Sequence, residues 1–278
     1  MAPSPSTDVV GYEKSIFDAG LHFARPAFTF QSFKWELLAK DTLSATSWCY
    51  IHGNCGNGST RLVPNRKDNK GSEQFSDATT RVLGQTPPSP LAIAPIGVQK
   101  IFNSEGEVAA ARAAAKEWAK IMFPEHSHSW EDVEFLKTHW DGPIVLKGIQ
   151  SVQDARKCVE VGVQGIVVRN HGGRQQDGGV SSLGMLPRIV DAVGDDLDIF
   201  VDSGIRCGAD TIKALALGAN CVLIGRPYAY GLALGGEDGV KHVLGAICGD
   251  LTMNMHLSGL RDINKVTRDI LVKESDLV

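Results

Sequence analysis

Short apolar runs that alternate with helical patterns dominate the segment 143–227. Each run is rich in Ile and Val and shows no polar alternation, which is typical of a parallel strand buried on both faces. Each run also ends in a polar or glycine-rich signature. Runs and signatures together cover residues 144–148, 166–174, 199–206 and 222–227. Since the signatures follow the strands, we expect the chemistry of this protein to lie at the strand ends.

Helical patterns separate these runs, at residues 152–161, 183–193 and 209–217. The alternation of strand and helix predicts parallel βα units. The segment also repeats internally, because Gly148 and Gly162 recur as Gly204 and Gly218 with the strand and helix patterns in phase. Two copies of a βαβα unit make half of a (β/α)₈ barrel.

The flanking segments carry weaker patterns. We predict helices at 33–43, 105–120, 131–138, 237–257 and 263–270, and a short buried strand within 91–97. The polar connector that ends at Pro90 divides the chain. We therefore expect an N-terminal segment of helices and loops over residues 1–90 and a partial barrel domain over residues 91–278.

Composition narrows the classes of function. The chain has 278 residues, 43% of them hydrophobic, and a net charge of −4, and it contains no basic block of the kind that binds nucleic acid. No apolar run is long enough for a membrane helix, and residues 1–6 lack the features of a signal peptide, so a cytoplasmic location is expected. The six cysteines form no CxxC pair, and His126 and His128, two residues apart in a loop, are more typical of solvent-facing histidines than of a metal site. We predict no disulfide and no metal.

Four motifs stand in register across about 80 residues of βα repeat: Lys147-Gly148, 170–175 (NHGGRQ), 202–206 (DSGIR) and 225–227 (GRP). Together they resemble the FMN-dependent 2-hydroxy acid dehydrogenase family, which includes glycolate oxidase, lactate oxidase and lactate 2-monooxygenase. The similarity extends to Leu91–Gly97 and to Tyr50 with its glycine-rich loop. It implies an α/β fold, a TIM-type barrel and FMN as cofactor.

The resemblance also shows what the chain lacks. Residues 91–94 resemble the first strand of the family barrel and 144–147 the fifth, and the 45 residues 98–142 leave no room for three further βα units. The fifth to eighth strands and the first are neighbours in a closed barrel. We therefore predict an incomplete barrel of five parallel strands. Its inner apolar face is covered by a rearranged N-terminal segment or by a partner chain, or else the fold has poor stability.

The loops after the last two strands predict a phosphate site, as in many TIM barrels. The expected cofactor ligands there are Ser203, Gly204, Ile205, Arg206, Gly225 and Arg226. Glycine permits close approach of the backbone and arginine offers paired donors. The alternative is two tight turns with surface arginines.

His171 is the candidate catalytic base, because histidine titrates near neutrality and a strand-end position points it into the barrel mouth. The resemblance gives Arg174 and Tyr50 to the substrate carboxylate. It places Lys147 at the flavin ring, Asp202 at the ribityl chain, and the backbone of Pro95 and Ile96 under the flavin. A capped loop histidine with an exposed arginine is the alternative for His171 and Arg174, and Tyr50 could equally be a core aromatic.

Arg169 departs from the family pattern, which has a small hydroxyl residue at this position. It lies two residues before His171 and so shares a strand face with it. An arginine there would crowd a bound flavin unless it reached into the space left by the missing strands. Two functions stay open. One is oxidation of a 2-hydroxy acid, with oxygen or another acceptor taking the electrons. The other is a non-catalytic remnant that at most binds the phosphate of FMN. A third explanation is an incomplete reading of the gene. Relatives are often tetrameric, which keeps a homo-oligomer open.

Overall fold

The structure is a computed structural model. It describes residues 28–44, 47–48, 51, 60–62, 77–87, 89–96, 99, 102–104, 129–171, 179–273 and 276. No helix among these residues is both long enough and apolar enough to span a membrane.

Helices and strands alternate along most of the described chain. The helices are α1 (Ser32–Thr42), α2 (Trp130–His139), α3 (Val152–Glu160), α4 (Ser182–Val193), α5 (Gly208–Ala216) and α6 (Arg226–Leu257). The strands are β1 (Thr60–Leu62), β2 (Leu91–Ile93), β3 (Val145–Ile149), β4 (Gly165–Val168), β5 (Asp198–Asp202), β6 (Cys221–Ile224) and β7 (Leu271–Lys273). The predicted helices at 33–43, 131–138, 152–161, 183–193 and 209–217 are confirmed to within one or two residues at each end.

Within the described residues, five strands form one parallel sheet in the order β2-β6-β5-β4-β3. This is the predicted order, in which the first barrel strand lies beside the last. The edge strands β2 and β3 do not pair with each other, so the sheet stays open. The prediction of an α/β fold built as an incomplete TIM-type barrel with five parallel strands is confirmed.

The two faces of the sheet have different partners. Ile166, Ile199 and Val222 point to the outer face, where they join one buried cluster with residues of the covering helices. Val167, Phe200 and Leu223 point to the inner face and are also buried. Val82 and Leu83, from the segment before β2, pack against them. The backbone N–H of Leu83 donates a hydrogen bond to Asp198 Oδ2 over 2.6 Å. An N-terminal segment thus covers part of the inner face, as the open barrel requires.

The internal repeat is visible in the backbone. Gly148 and Gly204 have φ of 103° and 87°, and Gly162 and Gly218 have φ of 73° and 105°. These left-handed conformations favour glycine, so the repeat preserves the residues that its turns require. The strand exits and the helix ends of both units are therefore built alike.

The N-terminal part contains the expected helix, α1, which packs on α6. His242 of α6 is fully buried, and its ring lies 4.5 Å from that of Phe28 and 4.4 Å from that of Phe30, centroid to centroid. Trp35 of α1 is buried beside it and donates its indole N–H to the Thr29 carbonyl over 2.6 Å. The proposed division of the chain at residue 90 stays a prediction. The predicted helix 105–120 lies outside the described residues.

Two predictions near the C-terminus need correction. The helix predicted from residue 237 is the second half of α6, which begins at Arg226 and kinks at Gly235 and Gly236, where φ and ψ are not helical. The helix predicted at 263–270 is wrong: two short 3₁₀ turns lie there, followed by β7, which pairs antiparallel with β1. Asp262 accepts a hydrogen bond from the Asn264 N–H, and this local turn competes with a regular helix.

Candidate functional site

The candidate site lies at the carboxyl edge of the parallel sheet. Lys147 lies in the middle of β3, two residues before its end, and His171 follows β4 by three residues. Asp202 is the last residue of β5, and Gly225 follows β6 directly. Because the strands are parallel, all these positions come to the same edge. The structure therefore brings together the described part of the predicted site. Tyr50 and Arg174 lie outside the described residues.

The loop after β5 has the geometry of an anion cradle. Ser203 and Gly204 both have positive φ, of 90° and 87°. A Cβ built on Gly204 would have no heavy atom within 4 Å, so open space lies beside this backbone. The Ser203 hydroxyl oxygen is buried and has no hydrogen-bond partner among the described residues. Arg206 is exposed nearby, and its backbone N–H donates to Asp210 Oδ2 over 3.1 Å.

The N-terminus of α6 completes this cradle. The helix starts at Arg226, directly after Gly225, and carries proline in its first turn. Unpaired N–H groups and the helix dipole favour an anion at such a terminus. Arg226 also lies close enough to Asp202 to lower the pKa of that carboxyl group, although burial dominates and raises it.

Asp202 is the most buried charged group of the site. Its side chain is 4% exposed and lies 2.8 Å, Oδ2 to Nη1, from Arg169, whose side chain is 11% exposed. Burial raises the pKa of Asp202, opposed by Arg169, by the Ser203 N–H, by Lys147 and by Arg226, in that order. The carboxylate is therefore surrounded by cations, which compensate its loss of hydration.

Lys147 is exposed and belongs to the same group of charged residues as Arg169 and Asp202. Partial burial lowers the pKa of its ammonium group, and the nearby charge of Arg169 lowers this pKa further. The charge of Asp202 raises it. Gly148, the next residue, interrupts the pairing of β3 with β4. Lys147 itself still pairs in register with Val167, and the register shifts directly after it.

Two hydrogen bonds anchor Asn170, which lies shortly after β4. The Asn170 N–H donates to Ser182 Oγ over 3.1 Å, and the Asn170 amide donates to the Val180 carbonyl over 3.1 Å. His171 follows with a φ of 54° and is exposed. A left-handed histidine is uncommon, and here the anchored asparagine before it sets the direction of the chain.

The exit of β2 is attached to α6. Tyr228 donates its hydroxyl to the Ala94 carbonyl over 3.1 Å, and the buried Gln99 donates its amide to the Ile96 carbonyl over 2.9 Å. A Cβ built on Gly225 would lie 3.6 Å from Ile96 Cδ1. Ile96 therefore lies beside Gly225. The assignment of the Pro95 and Ile96 backbone to the cofactor stays a prediction.

A phosphate-bearing cofactor fits one end of this site. Gly204 leaves open space, Ser203 has an unpartnered buried hydroxyl, and Arg206 and Arg226 supply positive charge. These are the donors that a phosphate group needs. At the other end, the carboxylate of Asp202 is held by Arg169.

Comparison with known proteins identifies the family. The family model described as FMN-dependent dehydrogenase matches residues 39–124 and 115–273. The chain belongs to this family. FMN is therefore the cofactor of the family, and the predicted resemblance is confirmed. The relatives are named as oxidoreductases, in line with the prediction of an enzyme family.

The relatives in this family differ in how much of their length they share with this chain. An FMN-dependent alpha-hydroxy acid dehydrogenase of Schizosaccharomyces pombe is 38% identical over 396 aligned residues, which cover 95% of this chain and 97% of the relative. This alignment is longer than the chain, so a large stretch of the relative has no counterpart here. The FMN-dependent alpha-hydroxy acid dehydrogenase qulF of Penicillium citrinum is 53% identical over 57% of this chain, but over only 39% of its own length. An L-lactate dehydrogenase of Pseudomonas putida is 50% identical, again over 39% of its own length.

Comparison with solved structures also finds flavoenzymes. A mandelate oxidase is 28% identical, with a TM-score of 0.77, and the match covers 88% of this chain and 98% of the oxidase chain. The described strands are thus those of a flavoenzyme barrel with a segment omitted.

One contact of the site was not predicted from the sequence, namely the ion pair of Arg169 with Asp202. The sequence shows only part of the signal, namely the opposite charges of the two residues. Val168 and Val201 are paired in the register of β4 and β5, so the residues that follow them are also neighbours. This register is known only from the folded sheet.

Proposed function

We propose that this chain binds FMN and oxidises a 2-hydroxy acid to the corresponding 2-oxo acid. The observation that carries the proposal is the convergence of Lys147, His171, Asp202 and Arg226 at one edge of the parallel sheet. Membership of the family supports both the cofactor and the class of substrate. Glycolate, L-lactate and (S)-mandelate represent that class.

The residues assigned to FMN divide by the part of the cofactor they would hold. Ser203, Gly204, Ile205, Arg206, Gly225 and Arg226 would hold the phosphate, and Asp202 the ribityl hydroxyls. Pro95 and Ile96 would support the ring by their backbone, and Lys147 would place a positive charge at its edge. When bound, FMN supplies an acceptor for the hydride equivalent.

His171 is assigned the proton. A neutral imidazole takes the hydroxyl proton of the substrate, and an exposed position after β4 lets substrate reach it. The carboxylate of the substrate is assigned to Arg174 and Tyr50, which would orient the acid so that its hydroxyl faces His171. The electrons finally pass to oxygen or to another acceptor.

A second function remains, that of a remnant that binds FMN weakly and does not react. Two observations favour it: the sheet is open between β2 and β3 in the described residues, and Arg169 occupies the carboxylate of Asp202. Catalysis falls steeply when the reacting groups are not held in position.

Anaerobic reduction of bound FMN separates the two functions. The protein is loaded with FMN and mixed with glycolate, L-lactate or (S)-mandelate, and the loss of the oxidised-flavin absorbance is followed. We expect His171→Asn to retain FMN but to slow this reduction by about 10²-fold or more, because the base is removed. His139→Asn, at an exposed site on α2, is the control and is expected to react as the unaltered chain does. If none of these acids reduces the bound flavin, the remnant is the correct account.

A further inference from the structure

We infer that Arg169 determines which ligands the site accepts, because its guanidinium forms an internal partner for Asp202 that a polyhydroxylated phosphate ligand must displace. The inference rests on the proposed FMN site. It assigns a role to a residue that the proposed reaction does not use.

The pair is built into the sheet. Arg169 directly follows β4 and Asp202 ends β5, one position beyond the paired residues Val168 and Val201. Both side chains point to the inner face, where Val167 and Phe200 are already buried two positions earlier. The two charges therefore meet at 2.8 Å without any rearrangement of the backbone.

The pair is close but poorly satisfied. Four buried atoms make no well-directed hydrogen bond within the part of the chain that the structure describes: Arg169 Nε, Arg169 Nη1, Asp202 Oδ2 and Ser203 Oγ. Buried polar atoms in this state are costly, and several together mark a place where a ligand can offer better partners. Hydroxyl groups can both donate to Asp202 and accept from Ser203 or Arg169, so a polyol chain matches this set of atoms.

The surrounding charges make the displacement possible. Lys147 and Arg226 also act on Asp202, so the carboxylate keeps cationic neighbours when Arg169 leaves. Arg169 in turn disfavours the charged form of Lys147, and its departure relieves that repulsion. The cluster can thus exchange one internal partner for a ligand without leaving Asp202 isolated.

Whether a ligand displaces Arg169 from Asp202 depends on how far the ligand extends from the space beside Gly204. The open space beside Gly204 begins two residues after Asp202, so a bare phosphate can occupy it while the pair stays closed. A ligand that carries a polyol chain on its phosphate extends over Asp202 and must open the pair. Arg169 therefore selects against FMN relative to inorganic phosphate.

Titration with FMN and with inorganic phosphate tests this inference. FMN binding is followed by quenching of flavin fluorescence, and phosphate binding by competition with FMN. We expect Arg169→Ser to bind FMN roughly tenfold more tightly, because interactions between neighbouring charged residues contribute on this scale. Its affinity for inorganic phosphate should not change. The melting temperature of the same variant without ligand should fall, because Asp202 loses its partner. Arg156→Ser, at an exposed position on α3, also removes one positive charge. It should change neither the affinity for FMN nor the melting temperature.

Each outcome decides the inference. Equal or weaker FMN binding by Arg169→Ser overturns it, and the proposed function then still stands if the unaltered chain binds FMN. A failure of both proteins to bind FMN overturns the inference and the proposed function together. If Arg169→Ser does not fold, Arg169→Lys replaces it: a smaller gain in FMN affinity supports the inference, and no gain overturns it.

Discussion

At the scale of single residues, Gly204 shows how backbone conformation and ligand space are joined. Its φ of 87° favours glycine, and the space where a Cβ would lie is open. A side chain there would be strained and would enter the region assigned to the phosphate. The residue thus affects both folding and binding.

We expect Gly204→Ala to lower the free energy of unfolding by about 1–2 kcal/mol, because alanine is strained at positive φ. FMN binding should weaken by roughly tenfold or more, as one close backbone contact with the phosphate is lost. Gly84→Ala is a matched control, since Gly84 has a φ of 73°, open space and a position in the turn before β2. Similar losses of FMN affinity in both variants, measured by fluorescence titration, would contradict a specific role for Gly204.

At the scale of elements, α1 and α6 are held together around His242. Burial lowers the pKa of this histidine, and the hydrogen bond with the Thr29 carbonyl opposes the shift. The folded protein therefore binds a proton at His242 less readily than the unfolded chain does. The contribution of this residue to stability is complete above the unfolded pKa of about 6.5 and is lost as the pH falls below it.

Urea denaturation between about pH 5 and pH 7.5 measures this contribution. The free energy of unfolding should fall with decreasing pH below about 6.5 in the unaltered chain. His242→Gln should be less stable at pH 7.5 but should lose less stability on acidification. Parallel pH dependences for the two proteins would show that the pKa of His242 does not differ between the folded and unfolded states.

The two halves of α6 approach each other closely at glycines. A Cβ on Gly239 would clash with the Gly231 carbonyl oxygen, so no side chain fits at this position. We expect Gly239→Ala to destabilise the protein by about 2–3 kcal/mol through overpacking. Thermal unfolding measures the change. Asp238→Ala, whose side chain is 84% exposed, is the control and should have little effect. If Gly239→Ala is as stable as this control, the close packing of the two halves is wrong.

At the scale of the whole molecule, the order of the sheet could be predicted because it follows from local signals. The apolar runs identify β3 to β6, and the repeat of Gly148 as Gly204 sets their phase. The resemblance then places β2 next to β6. Part of the family barrel is absent from this chain. The sequence shows this because residues 98–142 are too few for the three βα units that belong there.

Other features could not be predicted, for physical reasons. β1 and β7 have three residues each, which is too short for a hydrophobic period. The kink in α6 depends on two adjacent glycines whose conformation is set by packing. The Arg169–Asp202 pair joins residues 33 positions apart, and only the register of β4 and β5 brings them together. The roles of Tyr50 and Arg174 stay predictions.

The central claim is that the described sheet edge holds FMN, and equilibrium titration of the purified chain with FMN tests it most directly. Gel filtration followed by absorption spectroscopy shows whether oxidised flavin elutes with folded protein. The account predicts co-elution and saturable binding in the micromolar range or tighter, weakened by Gly204→Ala. A folded chain that binds no FMN at high micromolar concentration would contradict it.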